Sequence, residues 1–152
     1  MVRAGHAGCG EPLKPVPTPD EVQDMCRVLI VDDDEVTRMV IGRALQEEGH
    51  EVAYAGDGES ALRWIRRRPF DVVLTDLAMP GLNGLRLIRQ LRDLGDEIPV
   101  VAVSGQNADQ LHLAEDYGAN ATLVKPVKRS ALLQAVQDVT RQNQDFWENV
   151  WL

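Results

Sequence analysis

Five times along this chain a short run of apolar, often β-branched residues gives way to a stretch with apolar residues at helical spacing. No other feature narrows the fold as much, because strand and helix periods cannot substitute for one another. Val28-Leu29-Ile30-Val31 stops at Asp32-Asp33-Asp34, and Val36, Val40, Ile41, Ala44 and Leu45 then recur with helical period until Gly49. Val52 to Ala55 is the second strand; Ala61, Leu62 and Ile65 mark a short helix that stops before Pro69. Phe70 to Thr75 is a strand entering Asp76, and Leu85, Ile88 and Leu91 form the next stripe. Val100 to Val103 ends at Ser104, and Ala108, Leu111 and Ala114 predict a helix closing near Gly118. Ala121 to Val124 is the last strand, followed by the stripe of Leu132, Leu133, Val136 and Val139.

Strands apolar on both faces, alternating with helices, predict a doubly wound α/β fold with a five-stranded parallel sheet covered on both sides. In such sheets the site lies beyond the carboxyl ends of the strands. Asp32 and Asp33 follow the first strand, Asp76 ends the third, Ser104 ends the fourth and Lys125 follows the fifth. These residues are therefore expected at one edge of the sheet.

The chemistry of such a cluster is restricted. Three carboxylates brought together repel one another, and a divalent cation relieves that. Mg²⁺ takes hard oxygen ligands and usually keeps several waters beside one or two carboxylates. Asp33 and Asp76 suit direct ligation, and Asp32 suits a water-mediated contact. Phosphoryl transfer needs a nucleophile, neutralised charge and positioning, and an Asp carboxylate can be the nucleophile. The cation would hold one phosphoryl oxygen, Lys125 a second and the Ser104 hydroxyl a third. Taken singly, an Asp at a strand end is a turn or cap residue, as Asp34 is read here, and a Lys before Pro is a solvated loop residue. Four such residues at the ends of four strands, in order, outweigh that ordinary reading.

Val31-Asp32-Asp33-Asp34, Thr75-Asp76-Leu77-Ala78-Met79-Pro80-Gly81-Leu82-Asn83-Gly84, Val103-Ser104-Gly105 and Lys125-Pro126 together resemble the response-regulator receiver family. The resemblance covers residues 26–142 and implies the flavodoxin-like (βα)5 receiver fold of two-component signalling. It implies that Asp76 is the phosphoacceptor, Asp32 and Asp33 the acid pair, and Ala78 a metal ligand through its backbone carbonyl, with Mg²⁺ as cofactor. It further implies that Ser104 is the switch hydroxyl, Lys125 the lysine of the site, and Lys125–Pro126 a cis bond. A sensor histidine kinase or a histidine phosphotransfer protein would supply the phosphoryl group, and the chain would catalyse only its own phosphorylation and dephosphorylation. The family usually carries Tyr or Phe three residues before the lysine, where this chain has Thr122. The face made by the fourth helix, fifth strand and fifth helix is then expected to respond by a smaller or different movement. Val127 replaces the Phe often found after Lys-Pro.

The flanks differ in kind. Residues 1–25 hold Pro12, Pro15, Pro17 and Pro19 with Gly5, Gly8 and Gly10, and read as a flexible leader. Met25 stands where a compact domain would begin, so residues 1–24 could also be a linker remnant or an upstream misread start. Residues 143–152 form an aromatic tail in which Trp147 and Trp151, and Phe146 and Val150, are four apart. If helical, that stripe either packs on its own domain or anchors a partner or a second copy in a homodimer. No output module follows, so output is expected through an unknown downstream protein or onward phosphotransfer.

A net charge of −8 disfavours direct nucleic-acid binding. No apolar run suits a membrane helix or signal peptide, which predicts a cytoplasmic protein. Cys9 and Cys26 show no metal-ligand spacing and read as two free thiols. Two rival functions stand beside this reading. Asp32-Asp33-Asp34-Glu35-Val36 also fits the opening motif of haloacid-dehalogenase-like phosphatases, with Asp32 as nucleophile, although that leaves the Asp76 segment without a role. A phosphorylation-independent scaffold receiver is the second, suggested by Thr122.

Overall fold

The structure is a computed structural model that describes residues 25–79, 81–105 and 108–151, with the side chains of Ala108 and of residues 142–151 outside the description. The expectations for the proline-rich leader and for packing of the aromatic tail therefore fall outside the described residues. The elements alternate in the predicted order: β1 (Arg27–Val31), α1 (Glu35–Glu47), β2 (Glu51–Ala55), α2 (Gly58–Arg67) and β3 (Val72–Asp76), then α3 (Gly84–Asp93), β4 (Val100–Ser104), α4 (Ala108–Tyr117), β5 (Ala121–Val124) and α5 (Arg129–Trp151).

All strand pairs are parallel, and the order across the sheet is β2-β1-β3-β4-β5, which puts β3 at the centre. Successive strand residues point to opposite faces, and two cores result. On one face Leu29, Val31, Val73 and Ala102 pack with Leu62, Leu87, Ile88, Leu91 and Ala114 of α2, α3 and α4. On the other, Val28, Ile30, Val72, Leu74 and Val101 pack with Ile41 and Leu45 of α1 and Leu132, Val136 and Val139 of α5. Each fully buried Leu or Ile in these clusters contributes about 1.5–3 kcal/mol of transfer free energy. β3 and β4 are buried at every residue, whereas the edge strands are only half covered.

Local signals set the boundaries. Asp57 caps α2 by accepting the Ser60 N–H at 2.7 Å, and Asn83 caps α3 by accepting the Arg86 N–H at 3.0 Å. Gly49 has φ +93° and Gly118 φ +116°, so the chain leaves α1 and α4 through the left-handed region glycine tolerates. At Asp34 the expected cap is only partial. It occupies the N-cap position of α1, but its carboxylate accepts the Thr37 hydroxyl instead of a backbone N–H.

Two expectations need correction. β3 begins at Val72, not Phe70, because Phe70 turns under α2 against Trp64 while Asp71 binds the Arg27 N–H at 2.7 Å. Val36 and Val40 were counted with the core stripe of α1, yet they are 66% and 64% exposed. The first turns of α1 stand at the carboxyl edge of the sheet, and the face that meets the strands is the one carrying Ile41 and Leu45.

Candidate functional site

The predicted residues converge. Val31 pairs with Thr75 and Asp76 with Val103, so the residues that follow β1 and end β3 and β4 lie side by side at the carboxyl edge. One oxygen from each of Asp32, Asp33 and Asp76 falls within 4.8 Å of the others, with Asp32 and Asp76 buried and Asp33 exposed. Lys125 follows β5, where its backbone N–H binds the Ser104 carbonyl at 2.8 Å. Its Nζ donates to Asp32 Oδ2 at 3.0 Å and to Asp76 Oδ2 at 3.2 Å. The Lys125–Pro126 bond is cis, as expected.

The remaining oxygens are also held. Asp32 Oδ1 accepts the Asp34 N–H at 2.9 Å, and Asp76 Oδ1 accepts the Ala78 N–H at 3.2 Å. Burial is the main cause that lifts Asp76 above the ordinary carboxylate range, and the Asp32 carboxylate adds to it. The Ala78 N–H and the Lys125 ammonium oppose the rise without cancelling it. For Lys125, burial alone would lower the pKa, but its bonds to Asp32 and Asp76 outweigh burial and raise it. Such mutual adjustment is expected when an ammonium bridges two carboxylates away from water.

Ser104 is buried at the end of β4, 4% exposed, in register with Val124. Thr122 is half-buried on β5 opposite Ala102, so the position where the family resemblance expects an aromatic ring carries a short β-branched side chain on the α2–α4 face of the sheet.

Three contributors to this site were not read from the sequence as such. The Arg38 guanidinium donates to the Asp32 carbonyl and ties α1 to the end of β1. Its signal, a cation six residues after the first acid, is too common on helices to single out. Gly84 is the second: an added Cβ would lie 2.2 Å from the Asp76 carbonyl oxygen, so only glycine lets α3 start this close to the central carboxylate. Asn83 is the third, capping that same helix. Both belong to the motif around Asp76, but their reasons are contacts that sequence spacing does not show.

The donor set suits Mg²⁺. It consists of carboxylate oxygens at one partly open edge, with no nitrogen or sulfur ligand in the cluster.

Comparison with known proteins agrees with this geometry. The sequence matches the family profile described as response regulator receiver domain over residues 28–137. It is 37% identical over 124 residues to the sensory/regulatory protein RpfC of Xanthomonas campestris pv. campestris, covering 76% of this chain and 17% of RpfC. It is 35% identical over 117 residues to the response regulator MprA of Mycobacterium leprae, covering 76% of this chain and 51% of MprA. The chain thus spans less than two thirds of these relatives' own lengths. Among solved structures, chemotaxis protein CheY4 of Vibrio cholerae superposes with a TM-score of 0.71 at 30% identity, covering 76% of this chain and 98% of that one. The Francisella response regulator 1452 receiver domain gives 0.74 at 28% identity, covering 78% and 98%.

Proposed function

Since the chain belongs to the response regulator receiver domain family, we propose that Asp76 is its phosphoacceptor and that residues 26–142 form the switching unit. The observation that carries this is the central placement of Asp76. It is buried at the end of β3, within 4.8 Å of Asp32 and Asp33, and its carboxylate meets Lys125 at 3.2 Å.

A carboxylate lifted by burial is more basic, and so more nucleophilic, than one in water. Lys125 and the Ala78 N–H favour its ionised form. An Asp76 oxygen bonds to phosphorus as the donor's bond to phosphorus breaks, and the donor imidazole leaves. The Lys125 ammonium and the Ser104 hydroxyl are suited to hold phosphoryl oxygens. Asp33 and Asp76 would hold Mg²⁺ directly, Asp32 through water, and the Ala78 carbonyl would be a further ligand. Bound there, the ion would neutralise charge that builds on the phosphoryl oxygens.

The donor is a phosphohistidine of a sensor kinase or of a histidine phosphotransfer protein. RpfC and CqsS of Vibrio cholerae, a sensor kinase/phosphatase 35% identical over 114 residues, carry segments like this one. Val36, Met39 and Val40 form an exposed apolar stripe on α1, just after the acid pair, where a donor helix can pack. Among the described residues no helix is long and apolar enough to cross a membrane; a cytoplasmic site of action is part of the proposal. Output runs through a downstream protein or onward phosphotransfer. The helical course of α5 to Trp151 leaves a homodimer through the tail open to test.

The test is incubation with Mg²⁺ and a small acyl phosphate, followed by intact mass. One added phosphoryl group is expected, lost in Asp76→Asn and after chelation. Labelling that persists in Asp76→Asn would move the nucleophile, with Asp32 the first alternative. The scaffold reading draws on Thr122 and expects partner binding that a phosphoryl mimic leaves unchanged.

A further inference from the structure

At the opposite end of the sheet from Asp76, the first residues of β1 and β2 and the end of α2 border a half-open hollow of about 320 Å³. Its walls include Arg27, Glu51, Trp64, Arg68 and Phe70. We propose that it is a second binding site, for a small planar aromatic anion: a ring that stacks on the Trp64–Phe70 wall and carries a carboxylate or a phosphate against Arg68.

Three features carry this. The aromatic wall is fixed: Trp64 and Phe70 meet edge to face, centroids 6.2 Å apart at 81°, and Trp64 Nε1 donates to the Tyr54 carbonyl at 3.1 Å. Trp64 and Phe70 are each only half-buried, so part of this aromatic wall lines the hollow. Arg68 lies over that ring, its guanidinium carbon 5.6 Å from the centroid. Among the described residues it has no carboxylate within ion-pair distance, although the protein carries a net charge of −8. Arg66 and Arg67 lie in the last turn of α2, where the helix dipole accounts for them; Arg68 has left the helix and is the C-cap residue. Arg27 is the third feature. Its Nε is paired with Glu51 at 3.2 Å, which leaves it at the exposed rim as a second, partly neutralised cation. A guanidinium stacked on an aromatic face presents its N–H fork sideways, the geometry that receives a carboxylate or phosphate. The volume is at the lower end of the range for small-ligand sites. Carboxylates and phosphates share this recognition, so the probes must separate them.

Amide shifts of the isotope-labelled full chain, recorded without Mg²⁺, test the site. The probes are adenosine monophosphate, benzoate, adenosine and inorganic phosphate, each up to about 1 mM, the scale of weak small-ligand binding. Shifts are expected to cluster at residues 27, 51–53, 64 and 68–70 for the ring-bearing anions. Adenosine is expected to bind at least about tenfold more weakly, as loss of a charge-assisted contact implies. A preference for adenosine monophosphate identifies a nucleotide site, and a preference for benzoate an aromatic-acid site. Arg68→Glu, at an exposed position that leaves the core intact, should weaken either at least about tenfold. Absence of shifts with every probe, binding undiminished in Arg68→Glu, or phosphate alone matching the ring-bearing anions would each overturn the proposal.

Discussion

Gly84→Ala puts the link between packing and the site under direct strain. The added methyl would sit 2.2 Å from the Asp76 carbonyl oxygen, 2.9 Å from its carbonyl carbon and 2.9 Å from Leu77 Cα. A carbon–oxygen contact relaxes at about 3.3 Å, so the start of α3 and the end of β3 must separate by about 1 Å. All three neighbours are backbone, and none can rotate aside. The cost belongs at the upper end of overpacking, about 3 kcal/mol. With a urea slope of about 2 kcal/mol/M, the unfolding midpoint should fall by about 1.5 M. A shift of about 1 Å in the acceptor carboxylate should also slow acyl-phosphate labelling by about 100-fold. Gly81→Ala is the control: Gly81 has φ +74° and nothing within 4 Å of an added Cβ. It should cost only the left-handed backbone, about 1–2 kcal/mol, with near-normal labelling. A Gly84→Ala protein with unchanged midpoint and unchanged labelling would refute the reasoning, because the backbone contact would then be too soft to position Asp76.

Asp76→Asn should become more stabilising as pH rises. The raised Asp76 pKa means that the folded chain keeps its proton after the unfolded chain has released it, so wild-type stability falls as pH rises from the ordinary carboxylate value through the folded one. The variant lacks that fall, so its Tm advantage should grow as pH rises above about 4 without Mg²⁺; a constant difference would contradict the burial account. Lys125→Met should destabilise the metal-free protein by about 1–3 kcal/mol, since it leaves two buried carboxylates without their shared cation, and Mg²⁺ should recover part of the loss in a thermal melt. Arg92→Ala should cost about 2–3 kcal/mol in urea unfolding without altering labelling chemistry, because its guanidinium joins the Asp96 and Gly118 carbonyls and the Asn120 side chain at 2.7–3.3 Å. Deleting residues 145–152 separates the two readings of the tail: loss of folding in a thermal melt means that it packs on its own domain, whereas loss of self-association alone in sedimentation means an anchor.

Much of the fold was legible because its signals are local. Five β-branched runs and five helical stripes suffice to specify alternation, and alternation in a parallel sheet forces Asp32, Asp76, Ser104 and Lys125 to one edge. What periodicity could not show was where the sheet stops beneath a helix. Val36 and Val40 share the apolar pattern of α1 with Ile41 and Leu45, yet only the latter have strands beneath them. Phe70 looked like strand because aromatic residues favour strands, but its ring was claimed by Trp64 across a turn. Around the site, residue identities were readable and some of their reasons were not. Gly84 and Arg38 act on atoms of Asp76 and Asp32 that are brought near only by folding.

The bridge from Lys125 to Asp32 and Asp76 has a consequence for how the site lives without its cation. A cluster of acids with no internal counter-charge would need its metal in order to fold, and would then release it slowly. Here a tethered ammonium already bridges two of the three carboxylates and offsets one of their charges. An arriving divalent ion gains only the difference between itself and the placeholder, so its hold is weakened by design of the neighbourhood. On the proposed function, the domain would stand folded while the ion exchanges with solution, as a site loaded and cleared in every signalling cycle requires.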